Sequence, residues 1–204
     1  GEWGSSYSQA TALAALRWAT DNQLRLRGHV LVWPSTRNMP SSLTVRINAS
    51  DPTIPAAILA HIDDILAATR DYVSEWDVLN EPYDNHDIMD RYGDARMIEW
   101  FQRARAGSPQ GDLYINDYAI LSGNGLNTAK QDAYERTIRY IRDGGGPLTG
   151  IGFQGHFSGA PTGMTRLWSI LQRYATAFPD LKFRITEYDF VTDDETLQAD
   201  YTRD

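Results

Sequence analysis

The stretch WDVLNEP, Trp76–Pro82, is an apolar run that stops on an amide, a carboxylate and a proline. Glu75–Asn80 reads as a strand. Pro82 cannot continue a ladder, so the strand ends at Asn80. Pro82 also disfavours helical geometry in the residue before it, which predicts extended backbone at Glu81. A strand that closes on exposed polar groups is the unit from which the rest of the chain is read.

The same unit recurs on both sides. Strands are predicted over Leu24–Trp33, Glu75–Asn80, Asp112–Asn116, Gly150–Gly155 and Lys182–Thr186. Helical spacing of apolar residues fills the intervals, over Ser8–Asp21, Pro55–Thr69, Asp94–Ala106, Asn127–Asp143 and Thr165–Phe178. Pro55 suits a first helical turn, and Gly144–Gly146 stops a helix. Strict alternation of helix and strand argues for parallel strands with helices outside. A doubly wound open sheet and a closed (β/α)₈ barrel compete. Neither GxGxxG nor GxxxxGK[ST] occurs, so the nucleotide signatures that would favour the open sheet are missing.

Each predicted strand ends in polar or aromatic residues: His29 and Trp33, Asn80 and Glu81, Asn116 to Tyr118, Gln154 and His156, Glu187 and Asp189. In a parallel barrel all C-terminal strand ends open on one face, where active sites lie. Carboxylates, amides, imidazoles and indoles gathered there suit a sugar. Taken singly, a glutamate at a strand end is more often a solvated cap, and His29 or His156 is as readily a satisfied core histidine as a functional one. Trp18, Trp100 and Trp168 fall in helical segments and read as packing, as does His61. His86 lies in the loop after Glu81, where a place in the cleft is the minority reading.

Composition limits the partners. The 204 residues carry a net charge of −8, with 42% hydrophobic residues. No basic stripe for nucleic acid is visible, and no apolar run approaches the ~18 residues that span a bilayer. Cysteine is absent, which removes disulfides and thiolate chemistry. A metal hydrolase built on His29, His156 and Asp117 is disfavoured, because no two histidines sit at short ligand spacing. The chain begins at Gly1 and shows no export signal. Asn48-Ala49-Ser50 fits a glycosylation acceptor, a triplet that arises often by chance.

Five motifs in order, RGHVLVW (Arg27–Trp33), WDVLNEP, LYINDY (Leu113–Tyr118), GFQGH (Gly152–His156) and ITEYD (Ile185–Asp189), resemble the strand ends of glycoside hydrolase family 10. The resemblance implies a (β/α)₈ barrel, incomplete here and holding about strands three to seven, with residues 1–204 as one partial catalytic domain. It implies a retaining endo-β-1,4-xylanase, with Glu81 as acid/base and Glu187 as nucleophile. Asn80, His29, Trp33, Gln154, His156 and Tyr118 match substrate-binding or supporting positions. No metal or organic cofactor is implied. The resemblance implies a polysaccharide partner, with no nucleic acid or membrane, and a secreted or extracytoplasmic setting. A barrel glycosidase on another β-1,4-glycan and a non-catalytic carbohydrate-binding barrel stay open, as does the oligomeric state.

Two departures qualify the match. The family's third strand usually continues Trp-His-Ser-Gln, whereas this chain reads Trp33-Pro34-Ser35-Thr36. That predicts a modified glycone side, with Arg37 and Asn38 as partial substitutes. The family's Lys on strand two and its Trp residues after strand eight have no counterpart in the 204 residues. The strand ends recur about every 38 residues, so eight units need roughly 300, above the ~250 typical of such barrels. The chain by itself is therefore expected to expose apolar strand edges and to be marginal or inactive.

Overall fold

The computed structural model describes residues 9–159 and 161–203, so Ser8, at the start of the first predicted helix, lies outside the described residues. The alternation is as expected. α1 (Gln9–Asp21) precedes β1 (Leu26–Val32). α2 (Ser41–Asn48) and α3 (Ile54–Thr69) lead to β2 (Val73–Asn80), then α4 (Asp87–Tyr92) and α5 (Ala95–Gly107) to β3 (Asp112–Asp117). α6 (Thr128–Asp143) leads to β4 (Gly150–Phe153), and β5 (His156–Ser158) with α7 (Met164–Ala177) to β6 (Lys182–Ile185). β7 (Asp189–Val191) and α8 (Glu195–Arg203) follow.

One sheet runs β1-β2-β3-β4-β6, with every ladder parallel. The strands neighbour one another in chain order, with no reversal. A doubly wound sheet reverses at its switch point; a (β/α)₈ barrel does not. The sheet is also curled. On a flat sheet β2 and β6 would lie three strand spacings, about 14 Å, apart. Yet Arg184 Nη2 of β6 donates to Glu75 Oε1 of β2 at 2.9 Å. The five strands are thus an arc of a barrel, and among the described residues β1 and β6 are each paired on one side only.

The core lies between the arc and its helices. α3 buries Ile58, Ile62, Ile65 and Leu66, α5 buries Trp100 and Phe101, and α6 buries Ile138 and Ile141 against Leu113, Ile115 and Ile151. Pro55 occupies the first turn of α3, and Gly144 caps α6 before Gly145 takes φ +81°. Of the three helical tryptophans read as packing, only Trp100 packs. Trp18 is 63% and Trp168 69% exposed. Trp168 sits about 200° around α7 from Ile170, which faces inward. Two short helices, α2 and α4, and the β5–β7 pair were not anticipated, because none is long enough to show a period.

Candidate active site

Strand register brings the polar ends level. Asn80 pairs with Asn116, and Asn116 with Gly152; one residue on, Phe153 pairs with Ile185. Glycine at 152 is required by its neighbour: a Cβ there would lie 2.5 Å from Asn116 Oδ1. Trp33, Glu81 and Gln154 then follow directly on the sheet, Glu187 comes two residues after β6, and His29 sits within β1.

Glu81 is 8% exposed, and three N–H groups donate to its carboxyl. Trp33 Nε1 and Asn85 Nδ2 each donate to Oε2 at 3.0 Å, and Gln154 Nε2 donates to Oε1 at 2.8 Å. Its backbone is not extended, as Pro82 had suggested, but left-handed, with φ +53°. That region costs a non-glycine residue ~1–3 kcal/mol and persists where the surroundings over-determine it. Here the Glu81 N–H donates to Asn116 O at 2.8 Å, and the Asn85 N–H donates to Glu81 O at 3.0 Å.

Glu187 is held differently. Asn116 Nδ2 donates to Oε1 at 2.9 Å, and His156 Nε2 lies 3.2 Å from Oε2. His156 Nδ1 is 2.8 Å from Asp189 Oδ2. Burial pulls His156 down, but hydrogen bonds and charge from Asp189, then Glu187, outweigh it and hold the imidazole above its ordinary value. Asn116 Nδ2 also donates to Asn80 Oδ1 at 3.0 Å, and Gln154 Nε2 reaches the same oxygen at 3.4 Å. Asn116, Asn80 and Gln154 therefore link the two carboxyls. His29 Nδ1 is 2.9 Å from Asp77 Oδ2 and 4.0 Å from Glu187 Oε1, with its ring edge-on to Trp33. Asp77 is fully buried and also pairs with Arg27.

Tyr118 lies on the Glu81 flank, in a cluster around Lys130. This lysine is 1% exposed. Its Nζ lies 2.6 Å from Asp84 Oδ2, 3.0 Å from Asp117 Oδ1 and 3.2 Å from the centre of the Tyr118 ring. One cation serves two carboxylates, and they divide. Burial raises Asp84, but the hydrogen bonds from Lys130 and Tyr118 outweigh it and leave that carboxyl below its usual range. Burial dominates at Asp117 and raises it to about 7, against the pull of Lys130.

Some expected residues stand elsewhere. His86 turns to Asp90 and Asp94 rather than to the cleft. Asp117 faces Lys130, not His29 or His156, and among the described residues no three His, Asp or Glu groups converge as a metal site. Ser35 and Thr36 are spent on Asp87 Oδ2, and Arg37 and Asn38 on Asn85 Oδ1. A cavity of about 650 Å³ beside β1 is lined by His29 and Trp33 but by neither glutamate. Sequence reasoning missed Asn85 and Asp77 and gave Asn116 no role. The polar run YDNHD after Pro82 was the available signal for Asn85.

The chain matches glycosyl hydrolase family 10 over residues 3–203. It is 29% identical to endo-1,4-beta-xylanase A of Cellvibrio japonicus, over 91% of this chain and 32% of that protein. It is 31% identical to endo-1,4-beta-xylanase A of Fusarium oxysporum f. sp. lycopersici, over 92% and 57%. Xylanase A of P. fluorescens subsp. cellulosa, solved with xylopentaose, superposes with a TM-score of 0.79 at 26% identity, over 95% of this chain and 58% of that one. The chain thus spans less than two thirds of these relatives' length. Parallel strands in barrel order, two differently held glutamates at their ends and a match over nearly every residue lead to one conclusion: the chain belongs to glycosyl hydrolase family 10.

Proposed function

We propose that this chain carries the reacting groups of a retaining endo-β-1,4-xylanase, as one partial catalytic domain. The observation that carries the reading is the contrast between Glu81 and Glu187, joined through Asn116, Asn80 and Gln154. Retention needs two carboxyl groups ~5–5.5 Å apart, one protonated and one ionised. Glu187, with Asn116 and His156 donating to it, is the anion that attacks the anomeric carbon. Glu81 gives its proton to the leaving oxygen as the glycosidic bond breaks. It then takes a proton from water, whose oxygen displaces Glu187 and restores both groups. Asn80 Nδ2 is buried without a partner, which supports a role as donor to a sugar hydroxyl. His29 and Trp33 line the glycone side, Gln154 and His156 support the two carboxyls, and Tyr118 lies on the leaving-group side.

The relatives, which are xylanases, support xylan as substrate. Such a polymer does not cross a membrane, which supports action outside the cytoplasm. Among the described residues no helix is long and apolar enough to span a bilayer. The test is turnover of xylan by the full-length protein beside Glu81→Gln and Glu187→Gln, each expected to lose at least ~10²-fold. Unchanged turnover in either variant overturns the reading. Relative rates on xylan, cellulose and mannan fix the glycan.

A further inference from the structure

We propose that Arg37, Asn38 and Asn85 are positioning residues that dedicate Oε1 of Glu81 to proton delivery. The inference rests on the reading of Glu81 as the acid/base. Its starting point is the loop that departs from the family pattern, Pro34 to Asn38.

The Asn85 side chain is fully buried, and its amide has two unlike ends. Oδ1 accepts from Arg37 Nε at 3.2 Å, Arg37 Nη2 at 2.9 Å and Asn38 Nδ2 at 3.1 Å. A guanidinium has donors only, so the carbonyl end must face it. Nδ2 is thereby aimed at Glu81, where it donates to Oε2 at 3.0 Å and to the main-chain oxygen at 3.1 Å. Turning the amide over would set N–H against guanidinium and carbonyl against carboxyl.

The consequence falls on Glu81. Oε2 accepts from both Trp33 and Asn85, which occupies the two lone-pair directions of a carboxyl oxygen. Among the described residues Oε1 accepts only from Gln154. In the acid form the proton therefore resides on Oε1, leaves from there to the departing oxygen, and the electron pair of that O–H bond stays on Glu81. Arg37 hydrogen-bonds Asn85 rather than Glu81 and acts by locking the Asn85 amide.

The experiment compares kcat/KM of the full-length protein on two xylobiosides. One carries a 2,4-dinitrophenyl leaving group, which departs without a proton, and the other a 4-methoxyphenyl group, which needs one. Arg37→Met, at an exposed position, and Asn85→Ala should each lower kcat/KM on the methoxyphenyl substrate ~10-fold, part of the ~10²–10⁴ that a positioned acid supplies. Each should change the dinitrophenyl rate less than ~2-fold. Equal losses on both substrates, or no loss with Arg37→Met, overturn the proposal. Glu81→Ala on the same pair separates the two readings. If it too shows no dependence on leaving group, the acid/base assignment fails; if it alone shows that dependence, only the positioning role fails.

Discussion

Replacing Lys130 by Met would remove the one cation buried between Asp84 and Asp117 while keeping most of the volume. The cost depends on pH, and the structure gives its sign. In the native chain Asp117 has its carboxyl raised to about 7, so below that value the folded state already holds it protonated. There the variant loses the ion pair with the exposed Asp84 and the contact over the Tyr118 ring, together ~1–2 kcal/mol. Above pH 7 the native chain releases the Asp117 proton, because Lys130 can neutralise the anion. The variant has no cation, so its Asp117 rises further and keeps the proton. The deficit then grows by about 1.4 kcal/mol for each pH unit. By pH 9 it approaches the ~3–5 kcal/mol typical of breaking a buried pair. For a chain of this length each kcal/mol moves Tm by ~2–4 °C. Thermal unfolding followed by circular dichroism should show a small drop at pH 6 and one at least ~5 °C larger at pH 9. The same drop at both pH values would refute the division of one cation between unequal carboxylates.

Two further outcomes are expected. Asp189→Asn removes a charge that raises His156 and leaves only a neutral acceptor in its place, so the imidazole titration, read by NMR, should move to lower pH. A raised histidine contributes stability fully below its ordinary value of ~6.5 and loses it as pH climbs through the elevated one; in the variant that loss begins earlier. An unmoved titration would break the link between Asp189 and His156. Gly28→Ala should destabilise by ~1–3 kcal/mol, because the added Cβ would lie 2.3 Å from the Trp76 ring on the paired strand. A denaturation midpoint within error of the native one would show that the ring can give way.

The strand ends were legible because each is a short apolar run closed by a polar residue, a pattern contained in a few neighbouring positions. Glu81, Glu187, Asn80, Gln154, Trp33 and His156 were found in that way, and the structure brings them together. What local pattern could not carry was contact across the chain. Asn85 meets Arg37 over 48 positions and Lys130 meets Asp84 over 46, and neither pair leaves a period or a motif. The left-handed turn at Glu81 was misread for a related reason. The preference imposed by Pro82 is local, whereas the bonds from Asn116 and Asn85 that override it are not. Trp18 and Trp168 show the limit of helical spacing: it finds a helix, but it does not say which large residue is turned away from the sheet.

The bond between Arg184 and Glu75 acts on the arc as a string acts on a bow. It ties the last strand of the sheet to the second from beneath and shortens the distance their upper ends must span. Asn116 and His29 repeat the tie at the top, where they meet Glu187. The bend that turns Glu187 toward Glu81 is thus held by polar tethers within five strands. A carboxylate at the floor, four strand positions and more from the chemistry, helps to set the width of the mouth in which a sugar ring would have to fit.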